Sequence, residues 1–73
     1  MTERVRRMTA LEVERILARH GFVFLVQRGS HRKWRHPEKG LQVIVPLHKG
    51  RVIPIGTLLH ILKGGEIPRE EWS

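Results

Sequence analysis

Residues 22–46, FVFLVQRGSHRKWRHPEKGLQVIVP, decide the fold, because they read as three consecutive strands joined by tight turns. The segments FVFLVQR and LQVIVP are rich in the β-branched and aromatic residues that favour strands. The segment PEKG at 37–40 begins with proline and ends with glycine, which is typical of a four-residue turn. We therefore predict an antiparallel β-meander whose middle strand is HRKWRH, residues 31–36.

Helices are predicted on both sides of this meander. Thr9 and Glu12 have the spacing of a capping box, followed by apolar residues at helical intervals, so a first helix is expected at about residues 10–20. Gly21 can adopt the left-handed conformation that closes it. The segment IGTLLHILKGG at 55–65 predicts a second helix, and IPREEW at 67–72 predicts a final helical turn from which Trp72 folds back.

The predicted order is therefore α-β-β-β-α in a single domain spanning residues 1–73. This is an α+β fold: a three-stranded antiparallel sheet with two helices on one face and the other face open to solvent. Residues 1–7 are expected to form a frayed basic arm.

Composition indicates a soluble protein of a reducing compartment. The chain has no cysteine, and it lacks both a signal-peptide core and an apolar run of membrane-spanning length, so we expect a cytoplasmic location. Asn, Asp and Tyr are also absent, and arginine outnumbers lysine, a composition weakly typical of thermophiles.

The positive charge is concentrated in the middle of the chain. The formal net charge is +7. Residues 28–51 contain seven basic side chains and one acidic one, Glu38, so this segment contributes +6 of that net charge. A focused positive patch favours binding to a polyanion, because neutralising phosphates releases condensed counterions. The alternative is a charged face that serves only solubility.

Strand alternation gives the middle strand two different faces. If Trp34 is the core anchor that points at the helices, then His31, Lys33 and Arg35 point away from them. Arg32 would share the Trp34 side. The open face would then carry an imidazole flanked by cations.

Gly29 and Ser30 stand directly before this histidine. Glycine can turn or bulge the backbone ahead of a functional side chain, and a serine hydroxyl can bind phosphate or local backbone. An ordinary three-residue hairpin turn explains Gly29 equally well.

Four segments together resemble a known family. QRGSHRKW at 27–34, VIVPLH at 43–48, GTLLHILK at 56–63 and Gly21-Phe22 are similar, in order and spacing, to the HicA (YcfA-like) mRNA interferase toxins. The likeness covers residues 9–72. It implies a fold like a double-stranded RNA-binding domain, ribonuclease activity with no metal or other cofactor, mRNA as substrate and a HicB-like antitoxin as partner.

The resemblance also implies site residues. The family's catalytic histidine falls on His31, Gly29 and Ser30 hold the matching motif positions, and His48 matches a histidine that many relatives carry. Ser30 and His48 are candidates for a second catalytic or phosphate-binding role. Relatives commonly have a basic residue where this chain has Val26. The expected RNA contacts are Arg28, Gly29, Arg32, Lys33, Arg35 and Lys49.

The residue types suit this chemistry. RNA supplies its own nucleophile, so cleavage needs a base for the 2′-hydroxyl, an acid for the leaving 5′-oxygen and cations for the phosphorane charge. Imidazole can take either proton role near neutral pH. The other histidines, His20, His36 and His60, are expected to be structural, and a zinc site is not predicted because His31 and His36 fall on opposite strand faces.

Three other roles remain open from the sequence. A basic α/β domain could hold RNA without cutting it, or the basic hairpin could read duplex DNA. Under the same alternation Val23, Leu25 and Ile44 accompany His31 on the open face, and exposed aliphatic side chains beside charges suggest a surface for a protein partner, which a HicB-like antitoxin would cover. No membrane partner and no small-molecule cofactor is predicted.

Overall fold

The computed structural model describes residues 4–73 and has the predicted order of elements. They are α1 (Ala10–Arg19), β1 (Val23–Arg28), β2 (His31–His36), β3 (Leu41–Pro46), α2 (Ile55–Gly64) and a closing 3₁₀ turn (Arg69–Glu71). The strands form one antiparallel sheet in the order β1-β2-β3. The α+β class and the α-β-β-β-α order are confirmed.

The beginning of α1 is fixed by the predicted capping box. The Thr9 hydroxyl accepts a hydrogen bond from the Glu12 amide at 3.3 Å, and the Glu12 carboxylate accepts one from the Thr9 amide at 3.0 Å. The Thr9 hydroxyl also donates to the Glu12 carboxylate at 3.1 Å. The hydrogen bonds that this carboxylate accepts from Thr9, the one from the backbone amide foremost, hold the pKa of Glu12 below its ordinary value. The helix start is thus determined within four residues of sequence.

Gly21 is required at the end of α1 for two reasons. Its φ is +90°, a backbone conformation that residues with a side chain rarely adopt. A Cβ placed there would also lie 2.8 Å from Nε2 of His36, the buried histidine at the end of β2. Gly21 therefore allows the chain to turn tightly against the sheet.

The core lies between the helices and one face of the sheet, and it is centred on β3. Its fully buried side chains are Met8, Val13, Ile16, Leu17, Val45, Leu58, Ile61 and Leu62. Both helices pack mainly against β3, while β1 forms the opposite edge, and all six β1 residues are exposed. The two helices therefore cover their face of the sheet much better at β3 than at β1.

Trp34 lies on the helix side of the sheet, as predicted, but it is half-buried. Its Nε1 donates a hydrogen bond to Oε2 of the buried Glu14 on α1 at 2.7 Å. The Phe24 ring of β1 packs edge-on against it, with centroids 5.8 Å apart. Trp34 remains partly accessible because it sits towards the thinly covered β1 edge.

The C-terminal turn closes the fold against α1 and the N-terminal segment. Trp72 is buried, as predicted, and its Nε1 donates to the Ile67 carbonyl at 3.1 Å. The Arg6 amide donates to the Trp72 carbonyl at 2.8 Å, and Val5 packs against the core. The expectation of a frayed arm is therefore wrong for these two residues, because a backbone hydrogen bond and apolar contact hold them, while residues 1–3 lie outside the described part.

Glu71 joins this closing turn to the end of α1. Arg19 Nη2 donates to one carboxylate oxygen at 2.8 Å, and His20 Nε2 lies 2.6 Å from the other. These hydrogen bonds, that of Arg19 foremost, lower the pKa of Glu71. As for membranes, neither ten-residue helix nor any other within residues 4–73 has the length and apolarity to cross one.

Candidate functional site

The turn between β1 and β2 consists of Gly29 and Ser30 alone. Arg28 and His31 are paired across the hairpin, which leaves two residues in the loop. The φ of Gly29 is +59° while Ser30 has no positive φ, the pattern of a type II′ turn with glycine first. The alternative of a three-residue turn is therefore wrong. Nothing lies within 4 Å of a Cβ placed at Gly29, so backbone conformation is the reason for glycine here.

His31 directly follows this turn and lies on the open face of the sheet. On β2 the residues His31, Lys33 and Arg35 pair with Pro46, Ile44 and Gln42 of β3 and lie on the face away from the helices. His31 and Arg35 are exposed, and Lys33 is half-buried. The predicted grouping of an imidazole with two cations is thus present in the structure.

A β-bulge in β1 brings Val26 to the same face. Phe24 pairs with Trp34, but Val26 pairs with Lys33, so the register shifts between them. Strict alternation would have placed Val26 with Phe24 on the helix side. Instead, one depression of about 230 Å³ is lined by Val26, Arg28, His31, Lys33 and Ile44.

His31 also borders a second depression, which contains His48. This hollow of about 370 Å³ is lined by His31, Ile44, Pro46, His48, Pro54 and Thr57. His48 lies beyond the end of β3, and sequence spacing alone could not place it beside His31. Its loop is fixed by a hydrogen bond from the Leu47 amide to the Ser30 carbonyl at 2.6 Å.

Two of the predicted RNA contacts are not brought to His31. Arg32 lies on the helix side, where Nε donates to Glu14 Oε2 at 2.5 Å and Nη1 donates to Gln27 Oε1 at 2.8 Å. Its guanidinium stands 4.4 Å from the centroid of the Phe24 ring, a cation–π contact. Lys49 lines neither depression that His31 borders; it borders another, beside the start of α1, whose lining also includes His48.

Positive charge on the open face is unpaired. Within residues 4–73, Arg28, Lys33 and Arg35 form no salt bridge, whereas Glu14 and Glu71 are engaged by arginines away from this face. The cations of this face are therefore available to an anionic ligand, and no described carboxylate is paired with them.

The remaining histidines have other surroundings. His20 is bound to Glu71, and His36 is buried with its Nδ1 accepting a hydrogen bond from the Lys39 amide at 3.1 Å. His60 is exposed on α2 and borders a third depression, next to Gln42. Across the described residues no group of three or more His, Cys, Asp or Glu side chains is arranged to hold a metal ion.

Comparison with known protein families gives one match that spans both the fold and this site. A family model for the HicA toxin of bacterial toxin-antitoxin systems matches residues 10–66, from the first residue of α1 to just beyond α2. The chain belongs to the HicA toxin family. HicA membership supports a role as the toxin of a toxin-antitoxin system, and the matched range contains both His31 and His48. A comparison with curated proteins gives no match.

Proposed function

We propose that this HicA-family chain is an endoribonuclease that cuts mRNA without a metal ion and uses His31 as its general base. The observation that carries the proposal is the position of His31. Its imidazole is exposed directly after the β1–β2 turn, and it lines one depression together with Arg28 and Lys33. Family membership supports the toxin role, and ribonuclease chemistry explains the grouping.

The chemistry follows from what RNA supplies. A ring nitrogen of His31 takes the proton of the ribose 2′-hydroxyl while the 2′-oxygen attacks the adjacent phosphorus. Arg28 and Lys33, which line the same depression, interact with the non-bridging oxygens as negative charge develops on the phosphorane. The residues present thus provide a base and electrostatic stabilisation within one depression.

Val26 changes how this site holds its substrate. An aliphatic side chain lines the depression together with Arg28 and Lys33, at a position where the resemblance to the HicA toxins implies a basic residue. It gives the phosphate one charge fewer and offers apolar contact to a sugar or base instead. Binding in this chain therefore depends more heavily on the remaining cations.

A HicB-like antitoxin is the partner we propose for the same face. Val23 and Ile44, which pair with Arg35 and Lys33, are 46% and 47% exposed, and Leu25, in the bulge of β1, is 46% exposed, although all three are large aliphatic residues. Such side chains beside unpaired cations fit a partner with an apolar centre and an acidic rim. Occupying this face would cover His31 and block access of RNA.

The direct test is incubation of RNA with the purified chain in excess EDTA. We expect the RNA to be cut at the same rate with and without the chelator, because the base and the phosphate-binding groups are all side chains. Intact RNA that remains bound to the protein under both conditions would contradict the proposal and favour a non-catalytic RNA-binding module. Cutting abolished by EDTA and restored by added metal would contradict only metal independence.

RNA binding should depend on salt in proportion to the cations of the open face. With Arg28, Lys33 and Arg35 as phosphate contacts, log affinity against log salt should slope at about −2 for single strands, about −0.7 per contact. Arg35→Ala should reduce the steepness by about 0.7 and weaken binding to all sequences alike. Lys39→Ala is the matched control, because Lys39 lies in the β2–β3 turn near Glu66 and should leave the slope unchanged. A flat salt dependence for the unmodified chain would contradict this prediction.

A further inference from the structure

His48 borders an open hollow that it shares with His31. Three of the six residues that line it are polar, namely His31, His48 and Thr57, and the others are Ile44, Pro46 and Pro54. The hollow is open to solvent and has a volume of about 370 Å³. The hollow is therefore large enough for the sugar-phosphate portion of a nucleotide.

The backbone holds the two histidines in a fixed relation. His31 pairs with Pro46, and the next residue, Leu47, donates its amide to the Ser30 carbonyl at 2.6 Å. His48 itself begins a turn closed by a hydrogen bond from the Arg51 amide to the His48 carbonyl at 3.1 Å, with Gly50 at a φ of +74°. The hairpin turn before His31 and the loop that carries His48 are thus joined directly.

Both rings have free nitrogens. In the part of the chain that the structure describes, neither His31 nor His48 has a side-chain hydrogen bond or an ion pair, whereas His20 and His36 each have a partner. A free imidazole at a fixed place beside a reactive centre can exchange a proton with substrate. His48 therefore meets the structural requirement for proton transfer that His20 and His36 do not meet.

We propose that His48 is the general acid that completes the cleavage, an inference that rests on the proposed ribonuclease function. As the 2′-oxygen forms its bond to phosphorus, the bond from phosphorus to the 5′-oxygen breaks, and protonated His48 gives its proton to that oxygen. The products are a 2′,3′-cyclic phosphate and a free 5′-hydroxyl. His31 has gained one proton and His48 has lost one, and exchange with water restores both.

The test replaces the leaving oxygen by sulfur. An RNA with a single 5′-bridging phosphorothiolate releases a thiolate, which is a good leaving group and needs no acid, so only the base is required. We expect His48→Ala to cut ordinary RNA about 10²-fold more slowly than the unmodified chain or worse. On the phosphorothiolate RNA the same variant should approach the unmodified rate. His31→Ala should remain slow on both substrates.

Other outcomes would overturn the assignment. If His48→Ala is equally slow on both substrates, His48 binds or positions RNA and is not the acid; if it cuts ordinary RNA at the unmodified rate, it has no part in the reaction. His60→Ala is the matched control, an exposed histidine outside this hollow that should leave both rates unchanged. Intact RNA with the unmodified chain would overturn the ribonuclease proposal itself, so the two failures are distinguishable.

Discussion

Replacing His31 by alanine should slow RNA cleavage by about 10²- to 10⁴-fold, the usual contribution of a positioned general base. The variant should stay folded, because the ring is exposed on the open face and contributes nothing to the core. It should also lose toxicity when expressed. Cleavage of a labelled RNA under single-turnover conditions, together with thermal unfolding, measures both parts of the prediction.

Measuring RNA binding by the His31→Ala chain distinguishes a loss of catalysis from a loss of RNA affinity. Arg28, Lys33 and Arg35 remain in His31→Ala, so RNA binding should be retained, and the aliphatic side chains should still hold the antitoxin. His31→Gln is the matched control: it keeps a polar side chain of similar length but provides no base, and it should be as slow as alanine. A His31→Ala chain that cuts RNA at the unmodified rate would show that catalysis does not depend on this histidine.

Replacing Trp34 by alanine should reduce the free energy of unfolding by about 3 kcal/mol, the lower end for large aromatic side chains because the ring is half-buried. The loss combines the packing against Phe24 with the hydrogen bond to Glu14, whose buried carboxylate would keep, among residues 4–73, only Arg32 as partner. In a domain of this size the melting temperature should fall by more than about 10 °C. Denaturant unfolding followed by circular dichroism measures the change.

Trp34→Phe distinguishes the parts of that effect. It keeps an aromatic ring but removes the N–H that donates to Glu14, so we expect a loss of about 1 to 2 kcal/mol. The competing interpretation is that Trp34 stacks on a nucleobase, worth about 1 to 3 kcal/mol of binding. A Trp34→Ala chain as stable as the unmodified protein but defective in RNA binding would favour stacking and contradict the structural role.

Local sequence patterns were enough to predict the elements of this fold. The capping box of Thr9 and Glu12, the helical spacing in residues 55–65 and the turn residues at 37–40 each act over a few neighbouring positions, and each element lies where its pattern placed it. The same holds for the face shared by His31, Lys33 and Arg35, since alternation along a strand without a bulge is a local property.

The composition of the site depended on contacts between distant segments. Alternation along β2 already places Arg32 on the helix side, but its partners there, Glu14 on α1 and Gln27 on β1, cannot be read from the sequence of β2. Val26 reaches the open face only because a bulge shifts the pairing of β1. In both cases the neighbours of the side chain are set by an element packed or paired against its own strand.

The amino-acid sequence by itself determined the order of the elements, the turn at residues 37–40 and the charge of the open face, because capping, periodicity, turn residues and strand alternation operate over a few residues. Only the tertiary structure decided which groups accompany His31. His48 follows it by seventeen positions and joins the same hollow through the pairing of β2 with β3 and the hydrogen bond from Leu47 to Ser30. The proximity of His31 and His48 depends on the registers of paired strands and on loop closure. These are set by packing of the whole chain rather than by any short segment.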